Sequence, residues 1–395
     1  MTSLLILAIV ALLGIAIWQL TKIFDLTQVG SKPDDVTSQI ANERDNNING
    51  YLTFAFLGFI YVFTIFCLVK YGSFPLMSDS ASEHGETVDT LMWISMGLIF
   101  TVQIITQFLL HYFAFSARGV KGRKARYFSD NNKLEAVWTI IPTITLTGLI
   151  LYGLYAWNDI MFVDQEDDVL VVEVYAKQFA WDVRYAGDDN TLGKANVRFI
   201  EGVNLVGVDM SDPNAQDDKM AKELHLPVGK KVVLKFRSQD VLHSAYFPHF
   251  RAQMNCVPGM VTQFSFTPSV TTADMRGRDA IVSKVNNINK LRAERSVELV
   301  ADGKEALESY TFDYLLLCNK ICGASHYNMQ LKVVVETPEE FKAWLKELPT
   351  LGKQVADEKA ANAAPAPTAV EETKEDAAPV VEEEVKTEAV AQVVK

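Results

Sequence analysis

The chain has 395 residues, a formal net charge of −12, 49% hydrophobic residues and a mean hydropathy of +0.08. Length allows two or three domains, and such hydropathy is too high for a wholly soluble protein that also ends in an acidic stretch. With that acidic balance, no nucleic-acid partner is expected.

The apolar surplus lies in residues 1–160, which read as a transmembrane region. Four stretches stand out, near residues 4–24 (Leu4 to Phe24), 51–71 (Tyr51 to Tyr71), 91–115 (Leu91 to Phe115) and 136–157 (Ala136 to Trp157). Each is long enough to cross a hydrocarbon layer of about 30 Å as a helix. The segment Ser116 to Lys133 carries Arg118, Lys121, Arg123, Lys124, Arg126 and Lys133, whereas Ser73 to Thr90 carries Asp79, Glu83, Glu86 and Asp89 and no Lys or Arg. Positive charge stays inside, so the second loop and everything after the fourth span are expected outside. The first stretch lacks a basic start and a small-x-small cleavage site, so it reads as a retained span with an outside N-terminus rather than a signal peptide. Glu135 opens the fourth helix, where the helix dipole alone favours a carboxylate.

From Asp168 the texture changes to short β-branched runs divided by Gly, Asp, Asn and Pro. Strands are expected at Val169 to Tyr175, Val197 to Ile200, Lys231 to Phe236, Val261 to Phe266 and Leu331 to Val335. Residues 161–351 thus form an all-β barrel-like domain with ligand-bearing loops. It is interrupted by a charged insertion, 270–310, with Arg276, Arg278, Lys284, Lys290, Arg292 and Arg295, read as a solvated excursion. Phe179 and Trp181 are either core aromatics or a contact for a partner. His225 and His249 read as structural histidines, and Cys67 and Cys256 as small hydrophobes.

The segment Cys318-Asn-Lys-Ile-Cys322-Gly-Ala-Ser-His326-Tyr-Asn-Met329 gathers two thiols, an imidazole and a thioether within twelve residues. Soft sulfur donors suit copper, and a four-ligand zinc site would leave Met329 unused. A disulfide across so short a loop would be strained. His243, 75 residues upstream, is the best further ligand. Both sulfurs can face a common centre and bridge two coppers, with His243 and His326 capping one each, Met329 binding one weakly and a backbone carbonyl the other. Thr337-Pro-Glu-Glu340 is a capping box that leads Phe341 to Leu348 into a short helix. Residues 352–395, rich in Ala, Pro, Glu and Val, with Glu371-Glu372 and Glu382-Glu383-Glu384, are expected to be a disordered acidic tail.

The copper segment, Val241-Leu-His243-Ser and Val257-Pro-Gly259 together resemble subunit II of haem-copper cytochrome c oxidases, whose motif is Cys-x-Glu-x-Cys-Gly-x-x-His-x-x-Met. The resemblance implies membrane α-helical hairpins followed by an all-β cupredoxin-like barrel domain. It implies a dinuclear copper A centre bound by His243, Cys318, the backbone carbonyl of Lys320, Cys322, His326 and Met329. Lys320 stands where the family has a glutamate that helps hold magnesium, so that ion's site is expected to be altered or absent. Asn132-Lys-Leu-Glu135-Ala-Val-Trp138-Thr139-Ile-Ile-Pro142 resembles the family's second-helix motif, which makes Glu135 a candidate proton-path entrance. Lys177-Gln178-Phe179-Ala180-Trp181 stands at the family's Gln-Trp-Tyr-Trp cluster, which makes Phe179 and Trp181 candidates for electron uptake.

The implied function is to take electrons from a separate c-type cytochrome and pass them to haem in subunit I, where oxygen is reduced with proton translocation. Subunit I and other oxidase subunits are the implied partners, in a bacterial inner membrane with the copper domain on the periplasmic side. Asp182, Asp188, Asp189 and Asp240 are candidate docking acids. A copper-free structural or quinol-oxidase-type subunit is the alternative, although such relatives lose the ligand residues. A copper-delivery protein would not need the Glu135-Trp138-Pro142 hairpin, and the catalytic region of a nitrous oxide reductase has no counterpart here.

Overall fold

The computed structural model describes residues 2–29, 43–72, 79–127, 129–162 and 168–363. Four helices come first: α1 (Thr2–Val29), α2 (Glu43–Tyr71), α3 (Glu83–Ser116) and α4 (Asn132–Met161). Among the described residues, α2, α3 and α4 are long and apolar enough to cross a membrane. The described apolar part of α1, Val10–Ile23, is shorter than a crossing. α3 packs against both α2 and α4. At one end Phe115 nests against Tyr51 and Phe54, with ring centroids 5.4 and 4.9 Å apart, and Arg118 Nε donates to Asn47 at 2.7 Å. α4 starts where the Asn131 side chain accepts from the Leu134 N–H, which satisfies one of the free donors of a helix start.

The helices begin several residues before their apolar stretches because their first turns have polar work to do. Asp89, in the second turn of α3, takes a two-pronged contact from Arg251 at 2.7 and 2.9 Å, and Asp79 pairs with Arg278 at 3.0 Å. Ala81 N–H donates to His249 O, and Ser269 N–H to Ala81 O, so the chain before α3 is stitched to the β-domain. The acidic segment therefore lies on the β-domain side, and the basic segment after Ser116 lies at the other end of α3. That is the arrangement the positive-inside rule requires of an outside β-domain.

The β-domain holds two five-stranded sheets. The strands are β1 (Leu170–Lys177), β2 (Ala180–Tyr185), β3 (Lys219–Ala221), β4 (Leu224–Pro227), β5 (Val232–Ser238), β6 (His243–Phe247), β7 (Ala252–Cys256), β8 (Thr262–Phe266), β9 (Tyr314–Cys318) and β10 (Gln330–Glu336). Their order is β3-β2-β1-β5-β8 in one sheet and β4-β10-β9-β6-β7 in the other, with β1–β5 and β4–β10 parallel. β10 shows why it pairs as it does: Leu331, Val333 and Val335 are buried while Lys332, Val334 and Glu336 are only half-buried, the period of two of a strand with one face on a core. Val174, Trp181, Leu234, Phe247 and Tyr314 meet them from the other strands. Each such side chain contributes roughly 1.5–3 kcal/mol by leaving water.

α5 (Thr272–Gly277) and α6 (Asp279–Ala301) form the insertion, and α7 (Pro338–Glu347) opens with the predicted capping box on Thr337 and Glu340. α6 is not a bare excursion. Asn289 exchanges two hydrogen bonds with Tyr310 at 3.1 and 2.7 Å, and Ser296 and Arg292 also bind the returning chain, so the helix is strapped along it.

Two sequence expectations are corrected. Val197 to Ile200 is not a strand: Val197–Phe199 is a 3₁₀ turn that starts on the Asn196 side chain, and Asn204 holds Phe199 O and both polar atoms of Val208. Local side-chain hydrogen bonds outcompete the ladder that β-branched residues favour. The expected disordered tail begins instead with α8 (Leu351–Ala363), whose Leu351 is fully buried against Tyr175, Val206, Val208 and Ala215. The acidic blocks from Glu371 onward lie outside the described residues, as do residues 73–78.

Candidate metal centre

β6 and β9 run antiparallel, with Ala245 opposite Cys318, so the first residue of β6 and the last of β9 share one end of the sheet. Cys318 N–H donates to Met329 O at 3.0 Å, and Asn319 N–H donates to Ser244 O at 2.9 Å. These two bonds fix both ends of the loop that leaves β9 and returns as β10, and they bring it alongside His243.

The side chains picked out as ligands converge there. His243 Nδ1 lies 3.7 Å from Cys318 Sγ, and His326 Nδ1 lies 3.6 Å from Cys322 Sγ. The two sulfurs are 3.8 Å apart, Met329 Sδ is 3.8 Å from Cys322 Sγ, and Lys320 O is 3.3 Å from Cys318 Sγ. The cysteines are free thiols. His243, Cys322 and Met329 are buried, and Cys318 and His326 half-buried.

These spacings fit metal ligation. Sulfur at about 2.3 Å and nitrogen at about 2.0 Å from one ion, at a tetrahedral angle, stand about 3.5 Å apart, and two such sulfurs about 3.8 Å. Each imidazole also faces a different sulfur, His243 the Cys318 thiol and His326 the Cys322 thiol. His243, Cys318 and Cys322 offer donor atoms that all lie within 4.8 Å of one another. Without an ion the site is electrostatically awkward for thiolate: burial and the neighbouring Cys318 push the Cys322 thiol up to about 11. A bound cation supplies the missing positive charge.

The residues behind the donors went unread in the sequence. Asp240, read from the sequence only as a docking acid, accepts from His243 Nε2 at 2.9 Å. With Nε2 donating, Nδ1 keeps its lone pair on the Cys318 side, the usual way a carboxylate orients a ligating imidazole. Burial pushes the Asp240 carboxyl up, but the bonds from His243 and from the Gln178 and Val241 N–H groups outweigh it and hold the carboxyl below its ordinary range. The Asp-x-x-His spacing was the available signal. Cys256 sits opposite His243 in the β6–β7 register and is fully buried, its thiol pushed up to about 12 by desolvation.

Phe179 and Trp181 flank the centre differently. Trp181 is buried, with its ring centroid 6.2 Å from that of His243. Phe179 is exposed at its outer side and rests on Gly323, where a Cβ would come within 2.8 Å of the ring; with φ +139°, that position requires glycine. Of the proposed docking acids, Asp182 pairs with Lys177 at 2.6 Å and Asp240 faces His243, while Asp188 and Asp189 sit in the exposed turn after β2. Lys320 is exposed. Glu135 is exposed in the first turn of α4, far along the chain's membrane region from the metal donors. His225 stacks on Trp344 and pairs with Glu336 at 2.7 Å, and His249 packs edge-on to Phe312 and Tyr314, so both are structural.

Residues 70–156 match the family model for the transmembrane domain of cytochrome c oxidase subunit II, and residues 170–275 that for its periplasmic domain. The second match stops where the insertion begins, short of the Cys318–Met329 loop. An alternative cytochrome c oxidase subunit 2 of Bradyrhizobium diazoefficiens is 33% identical over 267 residues, covering 67% of this chain and 80% of the relative. Cytochrome c oxidase subunit 2 of Thermostichus vulcanus is 22% identical over 297 residues, covering 69% and 78%. Among solved structures, the periplasmic domain of subunit II of cytochrome oxidase of Bradyrhizobium japonicum aligns with a TM-score of 0.27 and 18% identity, over 50% of this chain and 99% of that one.

Proposed function

Since this chain belongs to the cytochrome c oxidase subunit II family, a membrane protein with an outer-side cupredoxin-like domain, we propose that it is the electron-accepting subunit of a terminal oxidase. It takes electrons from a c-type cytochrome at a dinuclear copper A centre and delivers them to haem in subunit I, where oxygen is reduced and protons are moved. The ligands are His243, Cys318, the Lys320 carbonyl, Cys322, His326 and Met329. The observation that carries the reading is the paired layout, each imidazole nitrogen against its own sulfur and the sulfurs 3.8 Å apart.

His243, Cys318, Cys322, His326 and Met329 would hold the copper, which would supply one-electron transfer at this site. The protein's own part is to hold five side chains at the rim of a stiff two-sheet core and to keep water from the buried donors His243, Cys322 and Met329. Phe179, exposed and resting on the Cys318–Met329 loop, is the site of electron uptake, with Trp181 behind it against His243. Glu135 is the proton-path entrance at the inner end of α4. The chain crosses a bacterial inner membrane with the copper domain periplasmic. Lys320 leaves no carboxylate for magnesium, so that ion is absent or held otherwise.

The test uses the full chain in detergent, loaded with copper. A seven-line electron spin resonance pattern, one electron over two copper nuclei, is expected; a four-line pattern in folded, loaded protein overturns the reading. His243→Asn is expected to abolish the seven-line signal while leaving the circular dichroism of the β-domain unchanged.

A further inference from the structure

The Cys318–Met329 loop carries five of the six proposed donors, yet its middle has little to hold it. Its ends are tied at Cys318 and Asn319. Inside, His326 N–H donates to Gly323 O, Asn328 N–H to Ser325 O and Met329 N–H to His326 O, all bonds within the loop itself. Among the described residues, one hydrogen bond reaches 320–328 from outside the Cys318–Met329 loop: the side-chain amide of Gln178 donates to Cys322 O.

The same residue holds the other half of the centre. Gln178 N–H donates to Asp240 Oδ2 at 2.7 Å, and Asp240 Oδ1 accepts from His243 Nε2 at 2.9 Å. The turn between β1 and β2 thus touches both ligand groups, the β6 imidazole through a carboxylate and the β9–β10 loop through a carbonyl. The neighbouring Phe179 ring seals the contact against Gly323.

On the copper reading above, we infer that Gln178 is the positioning residue that fixes the Cys322–His326 half of the centre relative to the His243–Cys318 half. Its backbone N–H and its side-chain amide bracket the two ligand groups, which the β6–β9 pairing joins on the other side. A bracket of this kind limits how far the donors move when the charge at the centre changes, and it sets the site's geometry before a metal arrives.

The experiment compares the parent chain, Gln178→Met and Gln178→Glu, each as the full chain in detergent. Met keeps the length of the side chain without a donor, and Glu presents an acceptor to an acceptor. In metal-free protein, amide hydrogen exchange at Gly323 to His326 is expected to accelerate about three- to tenfold in both variants, the worth of one hydrogen bond, while β1 and β5 keep their protection. In copper-loaded protein the electron spin resonance hyperfine splitting and the reduction potential are expected to shift, with the metal still bound. Lys177→Met, at the end of β1 beside the turn, serves as the control and is expected to change neither. Exchange and spectrum identical to the parent in both variants overturn the inference. If the parent binds no copper pair, the copper reading fails by itself, and the exchange measurement still decides whether Gln178 holds the loop.

Discussion

The β-domain contains two clusters of buried polar side chains, and they are built on opposite plans. In the first, on the β1–β2–β5 sheet, Arg184 lies between Glu173 and Asp218 at 2.7 Å each, and Arg237 binds the other oxygen of Glu173. Two cations meet two anions, and Arg184 and Arg237 spend further donors on Gly193 O and Val206 O. Burial would raise Glu173, but its two arginines hold it below the usual carboxylate range, whereas Asp218, with Arg184 alone, is pushed up to about 6 by desolvation. In the second cluster, at the end of β6 and β9, two thiols, two imidazoles and a thioether converge with no cation among them. A cluster whose charges close on one another serves the fold; one whose donors converge with lone pairs unspent is shaped for something that arrives from outside.

The largest test of that contrast is Arg184→Met. It leaves Glu173 short of one partner and Asp218 with the Gly193 N–H but no cation, and breaking a buried pair in this way costs about 3–5 kcal/mol. Urea unfolding of the full chain is expected to show that loss, while the copper spectrum of the protein that remains folded is unchanged. A loss below about 1 kcal/mol would mean the ionic cluster is not structural and would erase the distinction.

A smaller effect comes from His249, which belongs to neither cluster. Burial, with Lys284 and Arg251 nearby, lowers it to about 4. The folded protein therefore keeps this imidazole neutral where an unfolded chain would protonate it. Stability from this group is fully present above about pH 6.5 and is lost as the pH falls towards 4. Discounted for its partial exposure, the loss is about 2 kcal/mol. Measured against the parent, His249→Phe is expected to flatten the stability profile over that window and leave it unchanged above pH 7.

How far these features could be read in advance follows from their range in sequence. The spans of α2, α3 and α4 were legible because a lipid-facing helix is apolar all round, and the convergence of Cys318, Cys322, His326 and Met329 because these residues fall within twelve positions. Asp240 was visible as a residue but not as a partner of His243, since its role depends on which way one imidazole faces. The Arg184 cluster was illegible: Glu173, Arg184, Asp218 and Arg237 are spread over 65 positions and only strand pairing brings them together. α8 was misread because Ala, Lys and Glu resemble a tail in composition, although Leu351, Val355 and Glu358 already stand at helical spacing.

α8 offers the smallest and sharpest test. Glu358 accepts from Val203 N–H at 3.1 Å and lies over Gly202, whose φ of +53° turns the chain. The loop it holds continues to Val206, whose carbonyl takes Arg237, and Arg237 in turn covers the Tyr175 ring at 4.7 Å. The helix therefore braces the flank of the ionic cluster and touches nothing at the metal donors. Glu358→Ala removes one charge-assisted, half-buried hydrogen bond, so a loss of about 0.5–1 kcal/mol is expected in urea unfolding, with the copper spectrum unaltered. Combined with Arg237→Met the losses are expected to fall short of additive, because both changes free the same loop. Strict additivity would separate α8 from the ionic cluster and leave it a local cap on the small core around Leu351.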